Sequence, residues 1–226
     1  MTRFFTCFVV LCLVVCSAAQ DKCCLKENMF AITSGSLLGL HADMEFSASS
    51  QEIFSVVDYT TSRFMYNSTA YTSDNNVSYT MVIDDFEQKV EWNIDFNTKK
   101  CQKVPFPEGK QMPVRCVPDN ANFVKQVTYS GGTLVNMWYY PIKSPIQDGQ
   151  VVITLTDKGC LPAGTSYVGK ITNSGQEVDI MDTMGYYDFT PLTDVSKYFK
   201  LPSFCGSYET KPIDGARRFL KHRYFI

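Results

Sequence analysis

From Phe86 to Phe96 the chain alternates with a period of two. Phe86, Val90, Trp92, Ile94 and Phe96 share one side, and Glu87, Lys89, Glu91, Asn93 and Asp95 share the other. A helix would scatter that pattern around its circumference, so the segment predicts a half-buried antiparallel strand. Val77, Tyr79, Met81 and Ile83 alternate in the same way, with Asp84-Asp85 as the expected turn between the two strands. Phe64 to Tyr71 is a further strand; if Asn67 points outward, Phe64 and Tyr66 point inward. In the second half Phe123–Tyr129, Thr133–Tyr140, Gln150–Thr156 and Ser166–Ile171 read as strands. Their separators are Ser130-Gly131-Gly132, the stretch Pro141 to Gly149, and Pro162-Ala163-Gly164. Val178 to Met184 adds a weaker strand, and Thr193 to Phe199 a short helix or turn. Many short strands separated by turn residues predict one mainly β domain, a sandwich or partly closed barrel.

The first 19 residues carry a basic Arg3, an apolar run from Phe4 to Cys16 and small residues Ser17-Ala18-Ala19. That three-part pattern is a signal peptide cut after Ala19, and it places the protein outside the cell. The expected domains are the leader at 1–19, a single β domain at 20–205 and a basic tail at 206–226. Cys7, Cys12 and Cys16 leave with the leader. Cys23, Cys24, Cys101, Cys116, Cys160 and Cys205 remain, an even set that predicts up to three disulfides among fifteen pairings. Neighbouring Cys23 and Cys24 do not suit each other geometrically, so each reaches a distant partner. Asn67-Ser68-Thr69 and Asn76-Val77-Ser78 are glycosylation sequons that fit the same compartment.

Much chemistry is excluded. The chain has two histidines, His41 and His222, too few for a three-histidine zinc site. With 21 basic and 23 acidic residues it has no general basic footprint for nucleic acid. It lacks a phosphate loop, a dinucleotide fingerprint and a nucleophile elbow. The reading is therefore non-enzymatic, with no required cofactor; a hydrolase built on two converging carboxylates is a distant third choice. Calcium is the ion that the remaining oxygen ligands could hold. Asp84, Asp85 and Glu87 form the densest acidic group, although a solvated turn explains them more simply. The tail mixes Lys211, Arg217, Arg218, Lys221, His222 and Arg223 with Phe219, Leu220, Tyr224, Phe225 and Ile226. Such a segment suits a mobile tail or one docked on its own domain better than a membrane contact.

Four segments taken together resemble the ependymins and ependymin-related proteins. They are Asn93-Ile94-Asp95-Phe96-Asn97-Thr98-Lys99-Lys100-Cys101-Gln102-Lys103; Val117-Pro118-Asp119-Asn120-Ala121-Asn122-Phe123 running on to Ser130-Gly131-Gly132; Thr154-Leu155-Thr156-Asp157-Lys158-Gly159-Cys160-Leu161-Pro162; and Asp194 to Cys205. Their order and spacing carry the resemblance, which covers roughly Cys23 to Cys205. It implies a secreted glycoprotein with two antiparallel sheets, a curved sandwich or half-open barrel around a deep apolar pocket, similar to bacterial carriers of lipoprotein lipid chains. It also implies a homodimer and, in some members, calcium binding. It implies a Cys101–Cys205 bond and a bond from Cys160 to an N-terminal cysteine. Cys24 is assigned to that second bond, which leaves Cys116 for Cys23. The sequon that some relatives carry near Asn120 is absent, and the basic tail has no family counterpart.

With 16 phenylalanines and 13 tyrosines the chain could fill a core or line a cavity, and the resemblance favours the cavity. The expected lining is Tyr79, Met81, Val90, Trp92, Ile94 and Phe96, faced by Val151, Ile153 and Leu155. The function expected is extracellular binding of a hydrophobic small molecule or lipid. The alternative is a calcium-modulated matrix or cell-adhesion glycoprotein with extracellular-matrix partners.

Overall fold

The computed structural model describes residues 20–206, apart from 43–44, 73–75, 107–109, 130, 145–146 and 174–175. The leader at 1–19 and the tail beyond Gly206 lie outside the described residues. Eleven strands follow in chain order: β1 (Met29–Ala42), β2 (Glu45–Asp58), β3 (Arg63–Thr72), β4 (Val77–Asp85), β5 (Val90–Asp95), β6 (Lys100–Pro105), β7 (Asn122–Thr128), β8 (Leu134–Ser144), β9 (Gln147–Thr156), β10 (Pro162–Asn173) and β11 (Gln176–Pro191). Two single 3-10 turns close the described chain, Ser196–Phe199 and Ser203–Gly206.

The mainly β, antiparallel architecture is as the alternation predicts. The two expected sheets are two halves of one: the strand order is β6-β5-β4-β3-β2-β1-β11-β10-β9-β8-β7. Each half is a meander of hairpins, and the halves join where β1 pairs antiparallel with β11, from Phe30 opposite Pro191 to His41 opposite Asp179. β6 and β7 form opposite edges, so the sheet is open. The chain crosses from one edge to the other between Phe106 and Ala121.

Three hairpins of the first half share one turn chemistry. Asp85 Oδ1 accepts the Gln88 backbone N–H at 2.8 Å, and Asp95 Oδ1 accepts that of Thr98 at 3.0 Å. Asp58 Oδ1 accepts from Thr60 N at 3.0 Å and Thr61 N at 3.2 Å, and the Thr60 and Thr61 hydroxyls donate to the same carboxylate. Burial pushes the Asp58 carboxyl up, but those four donors outweigh it and leave it below the usual carboxylate range. Ser62, Lys89 and Lys99 take the left-handed conformation that ends each turn. The turn after β4 is thus Phe86–Lys89. Asp84 and Asp85 belong to the strand, and the expected strand from Phe86 begins at Val90. Likewise β8 and β9 run well into the stretch from Pro141 to Gly149 expected as a separator.

The sheet has two unequal faces. The inner face carries two buried apolar clusters. One, in the second half, includes Trp138, Tyr140, Val151, Ile153, Leu155 and Tyr167; the other, in the first half, includes Phe30, Ile32, Val57, Phe64, Tyr66 and Val82. The N-terminal segment and the edge-to-edge crossover pack onto this face, with Leu25 and Met112 in the second cluster and Val117 and Ala121 in the first. Among the described residues, the main cover of the outer face lies over the first half. There the segment after β11 lays Val195, Tyr198, Phe199 and Phe204 against Val56, Met65, Ile83 and Ile94.

Three disulfides hold these layers: Cys23–Cys160, Cys24–Cys116 and Cys101–Cys205. The last is as expected, whereas the two N-terminal partners are exchanged. Cys24 and Cys116 form an antiparallel bridge, flanked by Leu25 N donating to Arg115 O at 2.8 Å and Val117 N donating to Cys23 O at 2.9 Å. Neighbours on an extended chain point to opposite sides, so Cys23 is left to reach buried Cys160.

Gly149 and Gly169 stand directly opposite each other on β9 and β10, and the Tyr167 ring lies against both. A Cβ at Gly149 would come within 2.6 Å of Val168 O and 2.8 Å of the Tyr167 ring. Gly149→Ala is expected to destabilise the protein by about 1–3 kcal/mol through overpacking. Urea unfolding checks this, and an unchanged midpoint would show that Tyr167 does not lie there.

Candidate functional site

The inner face is the candidate site, and it is built by register. On β9, Val151, Ile153 and Leu155 point inward and are fully buried. Trp138 pairs with Ile153 and Tyr140 with Val151; on the other side Thr165 pairs with Ile153 and Tyr167 with Val151. Burial pushes the phenols of Tyr140 and Tyr167 up to about 12, with Asp148 adding to the shift at Tyr167. The Tyr167 hydroxyl donates to Lys170 O at 3.0 Å.

Small buried polar side chains interrupt this face: Ser36 on β1, Thr165 on β10 and Asp182 on β11 lie where the two clusters meet, beside buried Leu38, whereas Ser34 on β1, Ser55 on β2 and Ser68 on β3 sit against Ile53 and its neighbours in the first-half cluster. Ser36 Oγ donates to Asp182 Oδ1 at 3.2 Å, Tyr186 OH to Thr165 Oγ1 at 3.4 Å, and Ser68 Oγ to Gln51 Oε1 at 3.1 Å. Ser55 Oγ and the Trp138 indole nitrogen, both buried on this face, have no hydrogen-bond partner among the described residues. An unpaired buried polar atom costs about 1–3 kcal/mol, so each marks a place where the interior is not optimised for itself.

A second polar feature closes the far side of the same face. Asp84 on β4 and Glu91 on β5 stand directly opposite each other and are both buried. Two carboxylates so placed repel, and Lys110 from the crossover bridges them: its Nζ donates to Asp84 Oδ1 at 2.6 Å and Glu91 Oε2 at 2.7 Å. Asn93 Nδ2 donates to Glu91 Oε1, and the Lys110 ammonium sits 4.7 Å from the Phe106 ring centroid. The arrangement pins the crossover across the inner face.

That pin corrects the expected lining. In β5 the residues that face inward are Glu91 and Asn93, so their apolar neighbours face outward. Val90, Trp92 and Ile94, with Met81 on β4, sit on the outer face, where Trp92, Ile94 and Met81 pack under the segment after β11. Tyr79 and Phe96 are exposed there, and the Phe96 ring packs edge-on to Phe204 at 5.8 Å. Only Val151, Ile153 and Leu155 lie on the inner face. The two groups therefore cannot line one pocket. The acidic candidates are also dispersed. Asp84 is held by Lys110, Asp85 caps its turn and Glu87 is exposed. Among the described residues no three acidic, histidine or cysteine side chains gather closely enough to hold a metal. Asn67 and Asn76 are exposed, and Phe64 and Tyr66 are buried on the opposite side of β3 from Asn67.

Sequence reasoning missed Lys110, Asp182 and the buried serines. One signal was available: Asp182 interrupts the apolar set Val178, Ile180, Met184 on the inward side of its strand.

Two outcomes follow from this chemistry. Lys110→Met leaves two buried carboxylates facing each other without their shared cation and is expected to cost about 3–5 kcal/mol in urea unfolding. Adding Asp84→Asn and Glu91→Gln should recover most of it; no recovery would remove the bridge from its structural role. At high pH the folded state keeps the Tyr140 and Tyr167 protons after the unfolded chain has released its own. Stability is then intact below pH 10 and falls as pH rises from 10 toward 12. Ultraviolet titration should show tyrosines ionising together with unfolding in that window; a smooth titration centred on 10 in the folded protein would contradict the burial.

Comparison with known proteins places this architecture. The family model described as Ependymin matches residues 74–205. Ependymin-related protein 1 of Haliotis asinina is 27% identical over 145 residues, covering 60% of this chain and 71% of that protein. Ependymin-related protein 2 of the same animal is 29% identical over 134 residues, covering 56% and 64%. Among solved structures, a DUF1329 family protein from Desulfovibrio piger covers 77% of this chain and 90% of its own at 9% identity, with a TM-score of 0.32, too low to carry an argument. The family match takes in more than half of the 226 residues, from just before β4 to the cysteine that staples β6. The chain belongs to the ependymin family.

Proposed function

We infer that this protein is a secreted, non-enzymatic binder of hydrophobic molecules, and that its ligand lies on the inner face between the two apolar clusters. The observation that carries this reading is the discontinuity of that face. A sheet protein that only fills its own core gathers its apolar side chains into one contiguous cluster. Here the inner face holds two clusters, with Ser36, Thr165 and Asp182 at the seam where they meet. An apolar chain laid across that seam would join the two, gaining about 0.8 kcal/mol per methylene buried. The unpaired Ser55 hydroxyl and Trp138 indole N–H offer polar contacts to such a ligand. The disulfides and the leader pattern support an extracellular setting.

The adhesion reading draws on a different observation. Exposed Asn67 and Asn76 put both sequons where a glycan fits without unfolding the sheet. Matrix partners belong to that second reading, whereas calcium and a homodimer are compatible with both.

Native mass spectrometry of the secreted protein, with lipid analysis of an organic extract, separates the two. The expected result is a bound lipid at near-stoichiometric level. Ser36→Phe would place a ring at the seam and is expected to weaken binding of a fluorescent fatty-acid probe at least about tenfold, with circular dichroism checking that the variant keeps its β structure. An empty native protein that also refuses the probe would overturn the binding reading.

A further inference from the structure

The three disulfides differ in exposure. Cys101 and Cys205 are both buried, and Cys160 is buried with half-buried Cys23 as its partner. Cys24 and Cys116 are both exposed. Their bond also stands apart from the sheet. The two residues form an isolated antiparallel bridge, held on one side by Leu25 N donating to Arg115 O and on the other by Val117 N donating to Cys23 O. A bridge outside any ladder opens locally far more readily than a paired strand. Lys22 and Lys26 stand two residues before and after Cys24, exposed on its side of the extended segment, while Asp21 and Asp119 lie one residue further from the pair. Ammonium groups so placed favour the thiolate that leaves when the bond is cleaved. An exposed disulfide with a good leaving thiolate exchanges, whereas buried ones in secreted proteins resist reduction.

We propose that the Cys24–Cys116 bond is a thiol-exchange site, and that its reduction by a dithiol releases the crossover from the inner face; the effect on a ligand rests on the reading of that face as the binding site. One thiolate of the reductant attacks a sulfur of the pair. A mixed disulfide forms as the Cys24–Cys116 bond breaks, and the other cysteine leaves as a thiolate that takes up a proton. The reductant's second thiol loses its proton, closes the reductant's own disulfide and displaces the first cysteine, which is protonated in turn. Two electrons pass to the protein, and the dithiol is oxidised. The mechanical consequence follows from what the bond ties. The crossover lays Met112 in the first-half cluster and Val117 and Ala121 in the second-half cluster, so residues 111–121 pass from one to the other. Lys110 holds one end through Asp84 and Glu91, and Ala121 leads into β7 at the other. Between those ends Cys24–Cys116 is the covalent tie. The polar ties are the two bridge hydrogen bonds, Arg115 donating to Leu25 O and Lys26 O, Lys22 donating to Asp119 O, and Tyr59 OH donating to Val114 O at 3.5 Å. The N-terminal segment keeps its own anchor in Cys23–Cys160. Reduction thus frees the crossover and leaves the segment beneath it in place.

The test uses the native full-length protein. It is treated with limiting dithiothreitol and quenched with iodoacetamide at successive times, and its cysteine peptides are quantified by mass spectrometry, with fragmentation separating Cys23 from Cys24. The expected result is alkylation of Cys24 and Cys116 together, at least about tenfold faster than that of the other four cysteines. Hydrogen exchange of the singly reduced protein should then be at least about threefold faster across residues 111–121, with β9 unchanged as the internal reference. A fluorescent fatty-acid probe should leave the reduced form at least about threefold faster than the oxidised one. Equal alkylation rates at the three bonds would overturn the proposal. So would selective reduction that leaves exchange across residues 111–121 unchanged. A protein that takes up no probe in either state would remove the ligand reading alone, because alkylation and hydrogen exchange still decide whether the bond exchanges and the crossover is released.

Discussion

The pairing of β1 with β11 is the constraint on which the rest of the molecule depends. It joins residues such as Ser36 and Met184, far apart in sequence, at the centre of an eleven-stranded sheet. Each half on its own is a meander of local hairpins with two free edges. Only their union places the two apolar clusters on a common face and brings Ser36 against Asp182. Closing so long a loop is entropically expensive, and the disulfides offset part of that cost. Their sequence separations are 137, 92 and 104 residues, and bonds spanning loops near 100 residues contribute about 4–5 kcal/mol each in the chain-entropy picture. Two of them fasten the N-terminal segment just before β1, one to the crossover and one to the turn after β9. The strand that must find β11 is thereby held near its place.

The crossover is the second consequence. A chain that leaves one edge of the sheet at β6 and resumes at the other edge with β7 has to traverse a face. It takes the inner one, and it needs an anchor partway. Lys110 is that anchor. A lysine between two buried carboxylates is a poor source of net stability, because three desolvated charges cost much of what their attraction returns. Its value is positional: it fixes which residues of β4 and β5 look inward, and so decides which apolar residues are left to look outward.

This explains what the sequence made legible and what it did not. β3, β7, β8, β9, β10 and β11 were visible because their turns are marked by Gly, Pro or Ser and their sides alternate. Alternation in β4 and β5 was visible too, but it defines two sides without saying which is inner. The natural assumption, apolar inward and charged outward, failed there because both sides are covered: the outer by the Cys205 segment, the inner by a crossover bearing Lys110. β1 and β2 were not legible at all. Ser34, Gly35, Ser36 and Gly39 on β1, and Ser47, Ser49 and Ser50 on β2, dilute the apolar period of strands that occupy the middle of the sheet. Central strands normally advertise themselves by continuous hydrophobicity. These do not, because serines interrupt the buried Phe30, Ile32, Leu38, Ile53 and Val57 on their inner side. β6 was hidden for a simpler reason: it is a six-residue edge strand rich in lysine and ended by proline, a composition that protects a free edge from pairing with another chain.

The two faces therefore answer different requirements with the same strands. Inward, β1 and β11 present Ser34, Ser36 and Asp182 among the buried apolar side chains Ile32, Leu38 and Met184. Outward, the same two strands present Leu37 and Met181 to solvent. A strand residue cannot be moved from one face to the other without a register slip that inverts all of its neighbours. The inner serines and the apolar outer patch are thus linked by the pleat itself: a sequence that keeps serine at positions 34 and 36 fixes which side residues 35, 37 and 39 must occupy. Glycine at 35 and 39 reduces the exposed area that results, and leucine at 37 does not. Replacing Leu37 by a polar residue would leave the inner face untouched, which means the patch is not a by-product that the inner serines force on the chain.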